Sequence, residues 1–301
     1  MITVLAPDLD FLLDECRQSP PPCLRAILAR AAPRPLDPAS YQAELLTGQP
    51  LAAAAVSRLR DAPDDAPGVW MRADPVSLVP DLNAVWIRTT ARLPRSGPLL
   101  EALTDCFAEA GLGFDLPVPE RGYLRLDRVP DCRFQPPWAL AGQSLDHVLP
   151  EGPDARFWDK LLSDCQVLLH HHRARGQAEA DSLWFWGPGA LPARDQVRAR
   201  VRHVASADPQ LQTLADWLAL DHEPVDAPPR VADASLVTWS ADRHLSAEDN
   251  LKRLNGWLRP LWRRLRWGRI GVLELASRTR AWQLTPMQAW PFWRRRPAAA
   301  A

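Results

Sequence analysis

The sequence predicts an α/β protein with a central, mixed and partly parallel sheet flanked by helices. Three observations carry that prediction. Short apolar runs that stop at Pro or Gly alternate with longer stretches of helical periodicity. The 301 residues are enough to bury a sizeable core. No segment repeats another. The simplest organisation is one domain over 1–301, with possible lobes at 1–135 and 140–301.

The elements follow in order. ITVLAP (2–7) is an opening strand stopped by Pro. A short helical piece follows near Leu24–Ala31. DPASYQAELLTG reads as a helix between a cap at Asp37 or Ser40 and Gly48. LAAAAVSRL (51–59) is helix-prone through its alanines. After a turn-rich link at 61–68 come two strands, VWMRADP (69–75) and NAVWIRTT (83–90). PLLEALTDCFAEAGL (98–112) is an amphipathic helix closed by Gly111, and GYLRLD (122–127) alternates as a strand. The longest clean apolar stripe lies in 153–172, a helix, and SLWFWG follows as a buried strand. A helix at 211–220 and a strand at 234–240 come next. Ser246 and Asp249 form a capping box ahead of a stripe of Leu251, Leu254, Leu258, Leu261 and Leu265, which Pro260 should kink or split. Two strands, RIGVLEL and RAWQLT, close the fold as a hairpin around Ser277–Arg280, before a basic tail, WRRRPAAAA.

Composition narrows the function. Thirty-six basic residues balance 36 acidic ones, which argues against a surface built for phosphate backbones. The cluster Arg253, Arg259, Arg263, Arg264 and Arg266 reads as a solvated basic face, and no nucleic-acid partner is expected. No apolar run reaches the roughly 18 residues of a membrane helix. The first residues lack a charged leader and a cleavage site, so a cytoplasmic setting without a membrane partner is expected. Cys16, Cys23, Cys106, Cys132 and Cys165 contain no C-x-x-C pair and read as buried small residues. Arg outnumbers Lys so heavily, with only Lys160 and Lys252, that a GC-rich bacterial genome is implied. P-loop, dinucleotide, nucleophile-elbow and zincin motifs are absent, and no catalytic residue is assigned.

DSLWFWGPGAL (181–191) places three aromatics in four positions before Gly187-Pro188-Gly189. Side chains of a strand alternate, so Trp184 and Trp186 should share one face and Phe185 the other. Gly187 and Gly189 would let backbone approach a ligand. Asp74 stands at the predicted end of its own strand, the position where open α/β sheets take ligands. The candidate ligand site is therefore Asp74, His172, Asp181, Ser182, Trp184, Trp186, Gly187 and Gly189, against the alternative of a turn and a packed core. Three adjacent histidines, His170–His172, point about 100° apart on a helix and do not make one metal site. Their plain role is at a helix C-terminus.

ADPVSL (73–78), LLSDCQVLLHHH (161–172), RARG (173–176), DSLWFWGPGAL and the closing WGRIGVLEL to PFWRR together resemble one family. It is a group of proteobacterial cofactor-independent phosphoglycerate-mutase-related proteins, also called RpfE-type regulatory proteins. The resemblance covers scattered blocks from about residue 69 onward and implies a distantly alkaline-phosphatase-like fold. In that family a His-Pro-Val-Asn-like turn follows the long helix, and Asn-Ser precedes the aromatic strand. Here His172 matches the His, the next three residues are missing, Asp181 replaces Asn, and Ser182 matches. The mutases use two metal ions, several Asp and His ligands and a Ser nucleophile, and open with Asp-Gly after the first strand. This chain has VLAPDLD there; Asp8, Asp10, Asp74 and Asp81 are available as carboxylates, but only seven histidines exist and three of them are adjacent. The expectation is a regulatory or binding protein with no metal and no cofactor, acting on a small-molecule ligand or a protein partner. The alternative is a metal-dependent phosphatase or phosphoglycerate mutase.

Overall fold

The computed structural model describes residues 1–80, 85–88, 91–140, 149–176, 179–224 and 234–290. Asp81 and the tail from Pro291 lie outside them. The chain divides into two compact units. The first takes Met1–Asp37, Tyr41–Pro50 and Arg194–Ala301; the second takes Pro38–Ser40 and Leu51–Ala193.

The first unit is built on a seven-stranded mixed sheet. Its centre is β1 (Ile2–Leu5), paired in parallel with both β10 (Ser235–Thr238) and β11 (Leu273–Ala276). β8 (His203–Ala205) and β9 (Asp221–Glu223) extend it in parallel beyond β10. On the other side β12 (Arg280–Leu284) and β2 (Pro33–Pro35) join antiparallel. The alternation of β1 sends Ile2 and Val4 to one face, level with Leu273 and Leu275. There they meet α1 (Leu9–Glu15), α2 (Pro22–Arg30) and the leucine stripe of α8 (Ala247–Arg266). The remaining helices of this unit are α3 (Tyr41–Thr47) and α7 (Pro209–Trp217). The mixed, partly parallel sheet flanked by helices is thus present.

α8 excludes one of the two expected effects of Pro260. Pro260 neither splits nor ends it; the helix runs 20 residues through the proline. Its five striped leucines are fully buried or nearly so, and Arg253, Arg259 and Arg263 stand in solvent. Burying that stripe outweighs the lost hydrogen bond. Ser246 caps the helix as expected, its Oγ accepting from the Asp249 N–H at 3.1 Å, but the reciprocal half of the box differs: Asp249 Oδ2 accepts from the Ser246 hydroxyl at 2.8 Å and not from the Ser246 N–H.

The second unit holds a wholly antiparallel sheet. β3 (Val69–Pro80) pairs with β6 (Arg121–Leu126), with β4 (Val85–Arg88) and with β7 (Ser182–Gly189); β5 (Gly113–Val118) pairs with β6. One face carries Met71, Ala73, Leu124, Leu183 and Phe185 onto α5 (Pro98–Glu109) and α6 (Ala155–Arg173). The other carries Trp70, Arg72, Asp74, Trp184 and Trp186, and α4 (Ala53–Asp61) packs on this sheet through Ala53 and Ala54. Trp184 and Trp186 therefore do share a face opposite Phe185.

β3 does not stop at Asp74-Pro75. β6 reaches only to Ala73 and β4 begins at Ser77, so Pro75 lies where only β7 is its neighbour. A proline is tolerated in a strand where no ladder bond is asked of its missing N–H.

Candidate functional site

Asp74 sits in the middle of β3, not at a strand end, and is 8% exposed. Its Oδ1 accepts from Arg72 Nε at 2.8 Å and lies 2.7 Å from the second guanidinium nitrogen. Its Oδ2 accepts from the Trp186 indole N–H at 2.8 Å. Burial raises this carboxyl above its ordinary value, against the lowering pull of Arg72 and the Trp186 donor. Arg72 also donates to Ser57 Oγ at 3.2 Å.

Around this pair the strands build a ladder of guanidinium and aromatic groups. Arg125 lies 5.7 Å from the Trp70 ring, and Arg58 3.8 Å from the same ring and 5.2 Å from Tyr123. Arg72 lies 5.5 Å from Tyr123 and 5.1 Å from Trp186. Trp138 closes the series edge-on to Trp186 at 4.7 Å. Such stacking favours the cation most when water is excluded, and Arg58 is 1% exposed. Arg58 bonds Asp115 at 2.5 Å and Asp65 at 2.8 Å. Asp61 accepts from Arg121 at 2.6 and 2.7 Å and from the Tyr123 hydroxyl at 2.6 Å. Burial pushes Asp61 up, but the bonds from Arg121 and Tyr123 outweigh it and hold the carboxyl below its usual range.

The eight candidate residues fall into two groups. Asp74, Trp184 and Trp186 share the α4-covered face, and Trp184 donates to the Gln135 carbonyl at 2.7 Å. Gly187 and Gly189 serve that packing. A Cβ on them would come within 2.9 Å of Ala53 Cβ and 2.8 Å of Ala52 Cβ, and both have positive φ. His172, Asp181 and Ser182 belong to the junction between α6 and β7. His172 is buried in the last turn of α6 with its ring 5.9 Å from that of His171. Asp181 pairs with Arg173 and accepts from the Leu78 N–H at 2.9 Å. Gln166 donates to Ser182 Oγ at 3.3 Å. Sequence reasoning missed Arg58, Asp61, Trp70, Arg72, Arg121 and Tyr123. The signal was present: Trp70, Arg72 and Asp74 alternate on one strand, as do Arg121, Tyr123 and Arg125 on another.

A second constellation lies at the carboxyl ends of the parallel strands in the first unit. Asp8 follows β1, Ser206 and Asp208 follow β8, Thr238 ends β10, and Arg278 follows β11. Arg278 bonds Asp8 at 3.0 Å and also engages the buried Tyr41 hydroxyl. Burial and the nearby Asp208 push that phenol up to about 12. Thr238 donates to Ser206 Oγ at 2.9 Å, which accepts the Asp208 N–H at 3.0 Å. Asp10 accepts from Thr279 at 2.7 Å and from Arg280 at 3.0 Å.

A catalytic metal pair does not fit these donors. Among the described residues no three His, Cys, Asp or Glu side chains approach closely enough to hold an ion. The five cysteines are free; Cys23 and Cys165 are buried, whereas Cys16, Cys106 and Cys132 are half-buried rather than fully buried as expected. No described helix is long and apolar enough to cross a membrane.

No family model matches the chain. A stretch of 63 residues is 33% identical to the 2,3-bisphosphoglycerate-independent phosphoglycerate mutases of Methanosarcina mazei and Methanosarcina acetivorans. It covers 19% of this chain and 16% of each of those proteins, so the similarity is partial. Among solved structures, the cofactor-independent phosphoglycerate mutase of Thermoplasma acidophilum is 16% identical, over 94% of this chain and 89% of that one, with a TM-score of 0.41. The PH0037 protein of Pyrococcus horikoshii is 11% identical, over 94% and 87%, with a TM-score of 0.32.

Proposed function

We propose that this chain is a binding protein of phosphoglycerate-mutase ancestry that acts without metal-dependent phosphoryl transfer. In this reading it is a cytoplasmic regulatory protein of the RpfE type, with an alkaline-phosphatase-like scaffold whose carboxylates have been taken over by arginines. One observation carries the reading: the acids nearest the first strand are already neutralised, Asp8 by Arg278 at 3.0 Å and Asp10 by Arg280 at 2.8 Å. A carboxylate held by a guanidinium is a poor ligand for a dication, and two cations would have to displace those contacts.

The test is metal analysis of the purified protein together with turnover of an aryl phosphate in added Mn²⁺ or Zn²⁺. We expect substoichiometric metal and no turnover above buffer. Stoichiometric metal that disappears in Asp8→Asn, together with hydrolysis, would establish the phosphatase or mutase alternative instead.

A further inference from the structure

The first unit contains a cleft of about 430 Å³ that belongs to neither cluster described above. Its walls are the Pro-rich segment between α1 and α2 and the exposed side of α8. That volume lies in the ordinary range for small-molecule sites. Four features give it a chemical character. Arg259 projects from α8 at the cleft, and among the described residues no carboxylate lies within ion-pair distance of it. Lys252 stands about two turns earlier on α8, and the single carboxylate of the lining, Glu248, bonds that lysine at 2.7 Å. The lining thus keeps one uncompensated positive charge, on Arg259. Pro21 and Pro22 supply an apolar wall, above the buried Leu251.

The fourth feature is Gly256, inside α8 on the cleft wall. Its φ is not in the positive range, and a Cβ there would meet nothing within 4 Å. Neither turn geometry nor close packing asks for glycine, which is the poorest helix former after proline. What its missing side chain does leave is room in the cleft. Asn255 beside it accepts from the Cys23 and Leu24 N–H groups at 2.8 and 3.3 Å, which fixes the start of α2 against α8 and holds the two walls together.

We propose that this cleft binds a small organic anion, its charged head on Arg259 and its apolar body over Pro21 and Pro22. Guanidinium offers paired donors to either a carboxylate or a phosphate, and the two heads share this chemistry. The inference stands apart from the metal-free reading above, because it concerns a different place and holds whether or not a phosphoester is turned over.

The experiment is calorimetric titration of the full chain at low salt with phenyl phosphate, benzoate and, as a neutral control, benzyl alcohol. At least one of the two anions should bind saturably, and whichever binds more tightly identifies the head. Arg259→Gln, an exposed change that leaves the fold intact, should weaken binding about tenfold or more. Gly256→Leu should abolish it by filling the cleft, with circular dichroism confirming an unchanged helix content. The proposal is overturned if neither anion binds, if benzyl alcohol binds as tightly, or if Arg259→Gln leaves the affinity unchanged.

Discussion

Asp74 and Arg72 show how a residue can look like a site and act as a structural pair. The carboxylate has both oxygens engaged and the guanidinium lies between two aromatic rings. Removing one member strands the other charge in a dry place. Asp74→Ala should therefore lower unfolding free energy by about 3–5 kcal/mol, while Arg72→Met with Asp74→Leu should recover most of it; urea denaturation of the singles and the double reads both. A single-mutant loss below about 1 kcal/mol would show the pair to be solvated, since exposed pairs contribute no more than that. Asp61 gives a pH signature. Its folded pKa is depressed, so its contribution is present above the unfolded value near about 3.9 and is lost as pH falls through the folded value. Asp61→Asn should flatten the acid limb of a urea-midpoint-versus-pH curve and leave its slope near neutrality unchanged.

At the scale of the element, the sequence was most legible where one period dominates. The stripes of α5 and α8 and the alternation of β7 appear in the fold as read, because burial of one face fixes them, and α6 keeps its stripe except at Phe157, which is exposed. It was least legible at Pro75 and Pro260, where tertiary pairing overrode a local breaker. β3 therefore runs on past Pro75 to Pro80, and Asp74 does not mark a strand terminus. α1 spans two turns and β2, β8 and β9 three residues each, too few for a period to register, and β5 shows no alternation of burial. Pro260 leaves the carbonyl of Gly256 without its helical donor, so Pro260→Ala should stabilise the protein by about 1–3 kcal/mol, seen as a higher thermal midpoint. Gly187→Ala should do the reverse by about 1–3 kcal/mol, since φ is +63° and Ala53 Cβ lies 2.9 Å from the new methyl. An unchanged midpoint for Gly187→Ala would mean that α4 yields more easily than its packing implies.

For the whole molecule, the seven-stranded sheet manages its two edges by different means. β2 is Pro-Arg-Pro, which cannot template another strand, and β9 is the short charged triplet Asp-His-Glu. Both devices protect against edge pairing between copies. The polar clusters of both units are satisfied by their own arginines, and this predicts indifference to chelation. Incubation with EDTA should shift the thermal midpoint by less than about 1 °C, because a ligand stabilises only in proportion to its binding to the native state. A fall of several degrees, restored by Zn²⁺ or Mn²⁺, would contradict the proposed function directly.

The amino-acid sequence alone determined the class of fold, the faces of its regular elements, the cap of α8 and the pairing of Trp184 with Trp186 on one side of a strand. Those follow from periodicity and local hydrogen bonding, which neighbouring residues settle among themselves. Only the tertiary structure decided what the polar residues do. Arg58 and Asp61 come from a helix, Arg72 and Asp74 from one strand, and Arg121 and Tyr123 from another; Asp8 and Arg278 are separated by nearly the whole chain. Whether a carboxylate is a ligand or half of an ion pair depends on which cation the fold holds against it; for Asp61 and Asp8 that partner is distant in sequence, and for Asp74 the neighbouring Arg72 is held there by the strand and its burial.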